Sequence, residues 1–323
     1  MNRRLVLVGL AVLVVGVLAL CLGAVPMPIG DVWRGLVDRT APEAMIVRDL
    51  RLPRVLLGFL IGGTLAVSGA SLQALLRNPL ADPYLLGLSG GAGLGAVLAI
   101  ALGGAMVWAV PAAAFVGALA AVALVYLLGR SGSGRLEPRV LLLAGVVTSG
   151  FATAIMSALM VLSDAAELRN AFTWLLGGLG RASWQALGLF CLWAPVPLVI
   201  LFAAARPLDL LALGEETAGY LGAEVERVKR RVVVSTALLT AAAVAAAGMI
   251  GFVGLVVPHG VRRILGPLHG RLLPLAFVVG GALLVGADTI ARIIVRPIEL
   301  PVGVVTALVG VPVFAVMLKR EFR

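Results

Sequence analysis

The 323-residue chain is 61% hydrophobic and 13% charged, with a formal net charge of +10 and a mean hydropathy of +1.09. A soluble domain normally carries about twice that share of charge, so the composition excludes one and predicts an integral membrane protein with roughly ten spans. The basic residues sit between apolar runs, where membrane topology accounts for them better than nucleic acid does.

Met1 to Ala24 has the outline of a signal peptide, with Arg3 and Arg4 ahead of an apolar core. Cys21 invites a lipoprotein reading, but Leu20 is bulky where a small residue is needed. Residues 5–25 are charge-free and long enough to cross, so a retained first helix is expected. Further apolar runs follow at 54–76, 84–105, 107–129, 140–162, 184–204, 232–250, 252–266, 272–291 and 302–318. The run at 252–266 is expected to be bent or partial, because Pro258 interrupts it and Gly251, Gly254 and Gly260 loosen it. The series predicts an all-α polytopic protein with one transmembrane domain over 1–323 and no appended soluble domain. Cys21 and Cys191 both lie in apolar runs, so neither a disulfide nor a metal site is expected.

Ten crossings with both ends inside place seventeen of the 26 Lys and Arg residues on the inner side and nine on the outer. That bias predicts cytoplasmic termini. Small residues crowd the spans, as at Gly62, Gly63 and Ser68 to Ser71 and from Ala241 to Gly248, which favours close helix packing in lipid. The stretches from Arg54 and from Arg231 each run from a basic start through a small-residue helix and a glycine turn to a proline. This is a faint echo of an inverted repeat.

Absences narrow the chemistry. Asp288 is the one ionisable side chain well inside the first seven and last two apolar runs, which argues against an ion-coupled carrier. Lys229 and Lys319 lack a preceding phosphate-loop glycine pattern, so ATP is not expected to bind here. Gly87-Leu88-Ser89-Gly90 matches the short G-x-S-G pattern of intramembrane serine proteases, with His259 as a base elsewhere, but so short a match is cheap in a chain with 40 glycines. An ion-coupled secondary transporter and an intramembrane protease are the two rival readings.

The stretch from Arg51 to Gly95 reads RLPRVLLGFLIGGTLAVSGASLQALLRNPLADPYLLGLSGGAGLG. Together with GMIGFVGLVVPHGVRRILG (Gly248–Gly266), ADTIAR (Ala287–Arg292) and LPVGVVTALVGVPVF (Leu300–Phe314), it resembles the FecCD/BtuC-like permease subunits of binding-protein-dependent ABC importers for iron–siderophores, heme and cobalamin. The resemblance covers most of the chain and implies type II ABC importer permease architecture in the bacterial inner membrane. It also implies a second permease copy (identical or closely related), two ATP-binding subunits and a periplasmic or lipid-anchored binding protein. Cofactors are expected on the ATPase rather than on this chain, and membrane lipid is the remaining expected partner. Iron–siderophore is the first expected cargo, then heme, then cobalamin.

The resemblance assigns roles by position. Residues 206–231 match the cytoplasmic coupling loop, read here as two short helices around Gly222, with Gly214, Glu215, Glu216, Ala218, Leu221 and Gly222 facing the ATPase. On the outer side Arg48, Arg51 and Arg54 recur every three residues, and Pro53 is placed to open a helix. Asp288 stands four residues before Arg292 and can pair with it. Arg51, Arg54 and Arg292 match positions that receive glutamates of the binding protein, whereas Arg34, Arg39, Arg169 and Arg181 read as headgroup contacts. The path is expected between two copies, lined by Thr148, Ser149, Thr153 and Ser157 of the fifth span and Gly303, Thr306 and Gly310 of the last. Residues 130–135 are a candidate gate hinge or a plain connector.

Overall fold

In lipid every backbone polar group must find a partner within the chain, so a charge-poor sequence of this kind folds as helices. The structure, a computed structural model, describes residues 3–103, 106, 108–129 and 136–321. The hinge expected at 130–135 lies outside the described residues. The helices are α1 (Arg3–Cys21), α2 (Ile29–Val37), α3 (Leu52–Leu75), α4 (Leu88–Ala101), α5 (Ala109–Leu128), α6 (Pro138–Leu162), α7 (Ala165–Leu175) and α8 (Trp184–Trp193). They continue with α9 (Pro195–Ala203), α10 (Ala205–Ala212), α11 (Glu215–Tyr220), α12 (Val225–Ala247), α13 (Val253–Leu265), α14 (His269–Ile293) and α15 (Val302–Glu321).

Five helical stretches are long and apolar enough to cross a bilayer: 46–75, α5, α6, α12 and α14. The α8–α9 pair adds a sixth, bent by 42° where Pro195 opens α9. Shorter apolar helices at 6–21, 88–101 and 302–316, together with the 13-residue α13, bring the crossings to about ten. The fold is therefore the polytopic all-α architecture that the composition demands. Pro258 does not break the eighth span, because it sits inside α13. That span is partial through its shortness.

Four elements were not legible as apolar runs. Both α2 and α10 are short and amphipathic, and a π-helical turn at Ile46–Arg51 extends α3 backwards. Helix α7 opens on a capping box between Asp164 and Glu167, a D-x-x-E signal present in the sequence.

Packing follows the small residues. Helix α3 is the buried centre, and its main partner is α14. Phe59-Leu-Ile-Gly62-Gly63 on α3 crosses Phe277-Val-Val-Gly280-Gly281 on α14, the same F-x-x-G-G pattern on both. A Cβ added at Gly62 would overlap the Gly280 carbonyl and come within 2.7 Å of Leu284 Cβ. One added at Gly280 would meet Gly62 O at 2.5 Å. Gly63 lies under the Phe277 ring and Gly281 under the Phe59 ring, while the two rings meet edge-on at 5.9 Å. With lipid as solvent, such backbone approach supplies the dispersion contacts that hold helices together. Gly69 makes an equally close crossing with Gly254 of α13.

Candidate functional site

Two ends of the bundle carry the polar chemistry. At the end opposite α10 and α11, Arg54 and Arg292 converge on one buried carboxylate, and Arg51 lies close by. The Arg54 guanidinium grips Asp288 with its Nη2 at 2.9 Å from Oδ1 and its Nε at 3.0 Å from Oδ2. Its Nη1 reaches Glu299 at 2.9 Å. Arg292 lies 3.1 Å from the second Asp288 oxygen, the pairing that the i, i+4 spacing predicts. Arg292 also donates to the carbonyls of Leu22 at 3.0 Å and Ala19 at 3.1 Å. Arg51 donates to Cys21 O at 3.0 Å and to the carbonyls of Leu20 and Val25. A helix leaves its last four carbonyls without partners, and cations are favoured at that end. Arg51 and Arg292 serve that need for α1.

This corrects the expectation of an exposed rim. Arg51 and Arg292 are only 7% and 4% exposed, and Arg54 shows 14% of its side chain. Their spacing was read correctly and their direction was not: they turn inward to carbonyls that only the fold brings near. The arginines standing exposed at this end are Arg34, Arg39, Arg169, Arg181 and Arg296. Beside Arg39 a cleft of about 610 Å³ is lined by Arg48, Asp49 and Trp184.

At the other end, Gly214 and Gly222 adopt φ of +120° and +84°, the left-handed region that glycine tolerates, and they bound α11. Ala218 is buried and anchors the helix, while Glu216, Tyr220, Leu221 and Gly222 face outward. The loop is not two short helices around Gly222: beyond Glu224 the chain enters the 23-residue α12, and the second short helix is α10, upstream. Glu215 does not point outward for docking. It pairs at 2.6 Å with Lys229, which is 2% exposed.

Lys229 ties three elements together. Its Nζ also reaches Glu226 at 3.0 Å and donates to Leu136 O at 2.8 Å. Glu226 closes the loop by accepting from Leu136 N–H at 2.9 Å. A second tie joins α10 to α14, where Asp209 accepts from His269 N–H at 2.9 Å and lies 2.6 Å from its Nδ1. The Lys229 bonds link α11 to Leu136, two residues ahead of α6. Sequence reasoning had Lys229 only as one charge in a balanced loop, and its tie to Leu136 spans 93 residues.

The expected path residues divide. Thr153 and Ser157 are exposed along α6 beside Phe151 and Val147, and Ser149 is half-buried. Thr148, Thr306 and Gly310 turn into this chain instead. Thr148 packs on Gly87, Thr306 donates to Gly303 O at 3.1 Å, and Gly310 lies so close under the Phe252 side chain that an added Cβ would overlap it. Half-buried Gly303 abuts the Leu176 carbonyl. These four lie at helix contacts where the expectation had an open lining.

The polar ends, the ten crossings and the glycine-dense packing meet in one further observation. A sequence model of the FecCD transport family matches residues 10–320. The chain belongs to that family.

The permease is 45% identical over 280 residues to the cobalamin import system permease protein BtuC of Halobacterium salinarum, covering 86% of this chain and 75% of that one. It is 40% identical to the hemin transport system permease protein HmuU of Yersinia pestis, over 99% of this chain and 98% of that one. Among solved structures, one described as an inward-facing conformation of a metal-chelate type ABC transporter superposes with a TM-score of 0.86. That match has 30% identity and covers 98% and 99% of the two chains. Membership sets the permease among ABC-type transport subunits, and neither rival reading describes such a family.

Proposed function

We propose that this permease works in the inner membrane, with both termini cytoplasmic, as half of the membrane-spanning part of an ATP-driven importer for a bulky metal chelate. The named relatives carry cobalamin and hemin, which moves those two cargoes ahead of iron–siderophore. The carrying observation is the α10–α11 end. Tyr220 and Leu221 are 92% and 58% exposed outside the spans, at the end of α11, which Lys229 pins through Glu215, while His269 holds the preceding α10 through Asp209. Large apolar side chains presented there by a firmly held short helix fit a protein partner. That partner is the ATPase, which binds ATP and its magnesium so that this chain needs no cofactor.

Closure of two ATPases would pull on α11, and the Lys229–Leu136 tie would pass the pull to α6. The exposed face of α6, with Thr153 and Ser157, and that of α15, with Leu308, Val309 and Val313, would then border the path against a second permease copy. Movement of those faces produces alternating access. A binding protein docks at the opposite end, on the cleft lined by Arg39 and Arg48 and on exposed Arg34 and Arg296 of the same end, with Arg54 behind Glu299.

The test is purification from native membranes in mild detergent. The permease is expected to bring down an ATPase, and Tyr220→Glu with Leu221→Glu to release it while leaving the permease folded. A permease that comes down alone, or an ATPase retained by the double variant, refutes the docking assignment.

A further inference from the structure

Helix α12 carries an almost unbroken run of alanines, Ala241 to Ala247. Part of that face is not packed against a neighbouring helix. Between α5 and α8 it forms the floor of a cavity of about 680 Å³, where Ala242, Ala245 and Ala246 offer no side chain to fill the space. Phe115 and Trp193 close one end of the groove across a ring contact of 5.3 Å, and Trp108 and Trp174 stand at the other. From Gln185 to Trp193 the groove runs about 12 Å along α8 at 1.5 Å per residue.

Three observations identify an occupant. The outward faces of α5 and α8 beside the groove are apolar and exposed, Val116 at 64% and Leu192 at 70%, so its flank belongs to the bilayer-facing surface. An apolar cavity is not filled by water, and an empty one forfeits contacts on every wall. Hydrocarbon is the medium at hand. At the tryptophan mouth stands Arg181, which forms no hydrogen bond or ion pair among the described residues. Tryptophan and arginine are the side chains that settle at headgroup depth, and Trp33, Trp108, Trp174 and Trp184 lie on α2, on α7 or at the starts of α5 and α8, toward the end opposite α10 and α11.

We infer that this groove is a binding site for an acidic phospholipid of the outer leaflet, one acyl chain lying on the α12 alanine floor and the phosphate on Arg181. The leaflet follows from the proposed orientation. The site itself is independent of the cargo and of any ATPase, and its size and lining are those of a small-molecule pocket.

Tryptophan fluorescence tests it without transport. The full-length permease is reconstituted in phosphatidylcholine and titrated with phosphatidylglycerol or phosphatidylcholine brominated on the acyl chains. Brominated phosphatidylglycerol is expected to quench saturably, with an apparent affinity about five-fold above that of phosphatidylcholine, whose choline cation offsets the same phosphate and removes the net attraction of about 1 kcal/mol to one arginine. Arg181→Gln should erase the preference, and Ala246→Phe should remove the saturable phase for both lipids. Inorganic phosphate at millimolar level should not compete. Equal, non-saturating quenching by both lipids, unchanged in either variant, overturns the proposal. So does a preference that survives Arg181→Gln, or one that free phosphate abolishes.

Discussion

Arg54 holds two carboxylates at nearly equal distance, Asp288 and Glu299, and the two are predicted to differ sharply in worth. Asp288 is 3% exposed and also faces Arg292 at 3.1 Å. Changing Asp288→Asn leaves the buried Arg292 with no anion and Arg54 with Glu299 alone, and breaking a buried pair in this way costs about 3–5 kcal/mol. Glu299 is 38% exposed at the bundle end, where water replaces it readily, so Glu299→Gln should cost no more than about 1 kcal/mol. The assay is equilibrium unfolding of the purified permease in mixed micelles, followed by tryptophan fluorescence. The double variant Asp288→Asn with Arg292→Gln should recover part of the loss, since it removes the stranded charge. If Asp288→Asn and Glu299→Gln agree within about 1 kcal/mol, burial does not govern this cluster and the reasoning fails.

Other outcomes follow from single sites. Gly69→Ala drives its Cβ into the Gly254 carbonyl and should lower the melting temperature clearly. Gly188→Ala, with nothing within 4 Å, should be neutral or raise it slightly. Burial raises the Asp82 carboxyl from its ordinary 3.8 to about 6, against the pull of the Tyr84 N–H it accepts. The folded state therefore holds the proton more tightly between about pH 4 and 6, so stability should fall as pH rises through that window. Denaturation curves of Asp82→Asn should lose this slope. Lys229→Met removes ties of 2.6, 2.8 and 3.0 Å while sparing Tyr220 and Leu221. The ATPase should still co-purify, with transport per ATP in reconstituted vesicles reduced about ten-fold, what the loss of one charge-assisted bond of about 1.5 kcal/mol amounts to. Unchanged coupling would remove Lys229 from the transmission route.

Most spans were legible because they are charge-poor runs long enough to cross, with stops marked by Arg, Lys, Pro or Gly; the run at 252–266 is short and holds Arg262 and Arg263, and the run at 140–162 stops at Ser163 and Asp164. Asp288 and Arg292 were legible as a pair because helical spacing alone puts them on one face. What was hidden is partnership at long range. Nothing in the local pattern of Arg51 says that it turns toward Val25, or that Arg54 turns to a carboxylate 234 residues away. Periodicity likewise gave the face of Thr148 and Thr306 without saying whether that face meets a second copy or this same chain. The α12 alanines announced close packing. Whether a helix or a cavity lies over them depends on where α5 and α8 stand, which no local signal carries.

The latch on α1 has an implication for how the protein is made. The carbonyls of Leu20, Cys21 and Val25 find Arg51 about thirty residues later in the chain, as soon as α3 has entered the membrane. Those of Ala19 and Leu22 must wait for Arg292, some 270 residues downstream, until α14 has also entered the membrane. Until then α1 is held by three of these five carbonyl bonds, and it is locked in place only when α14 arrives.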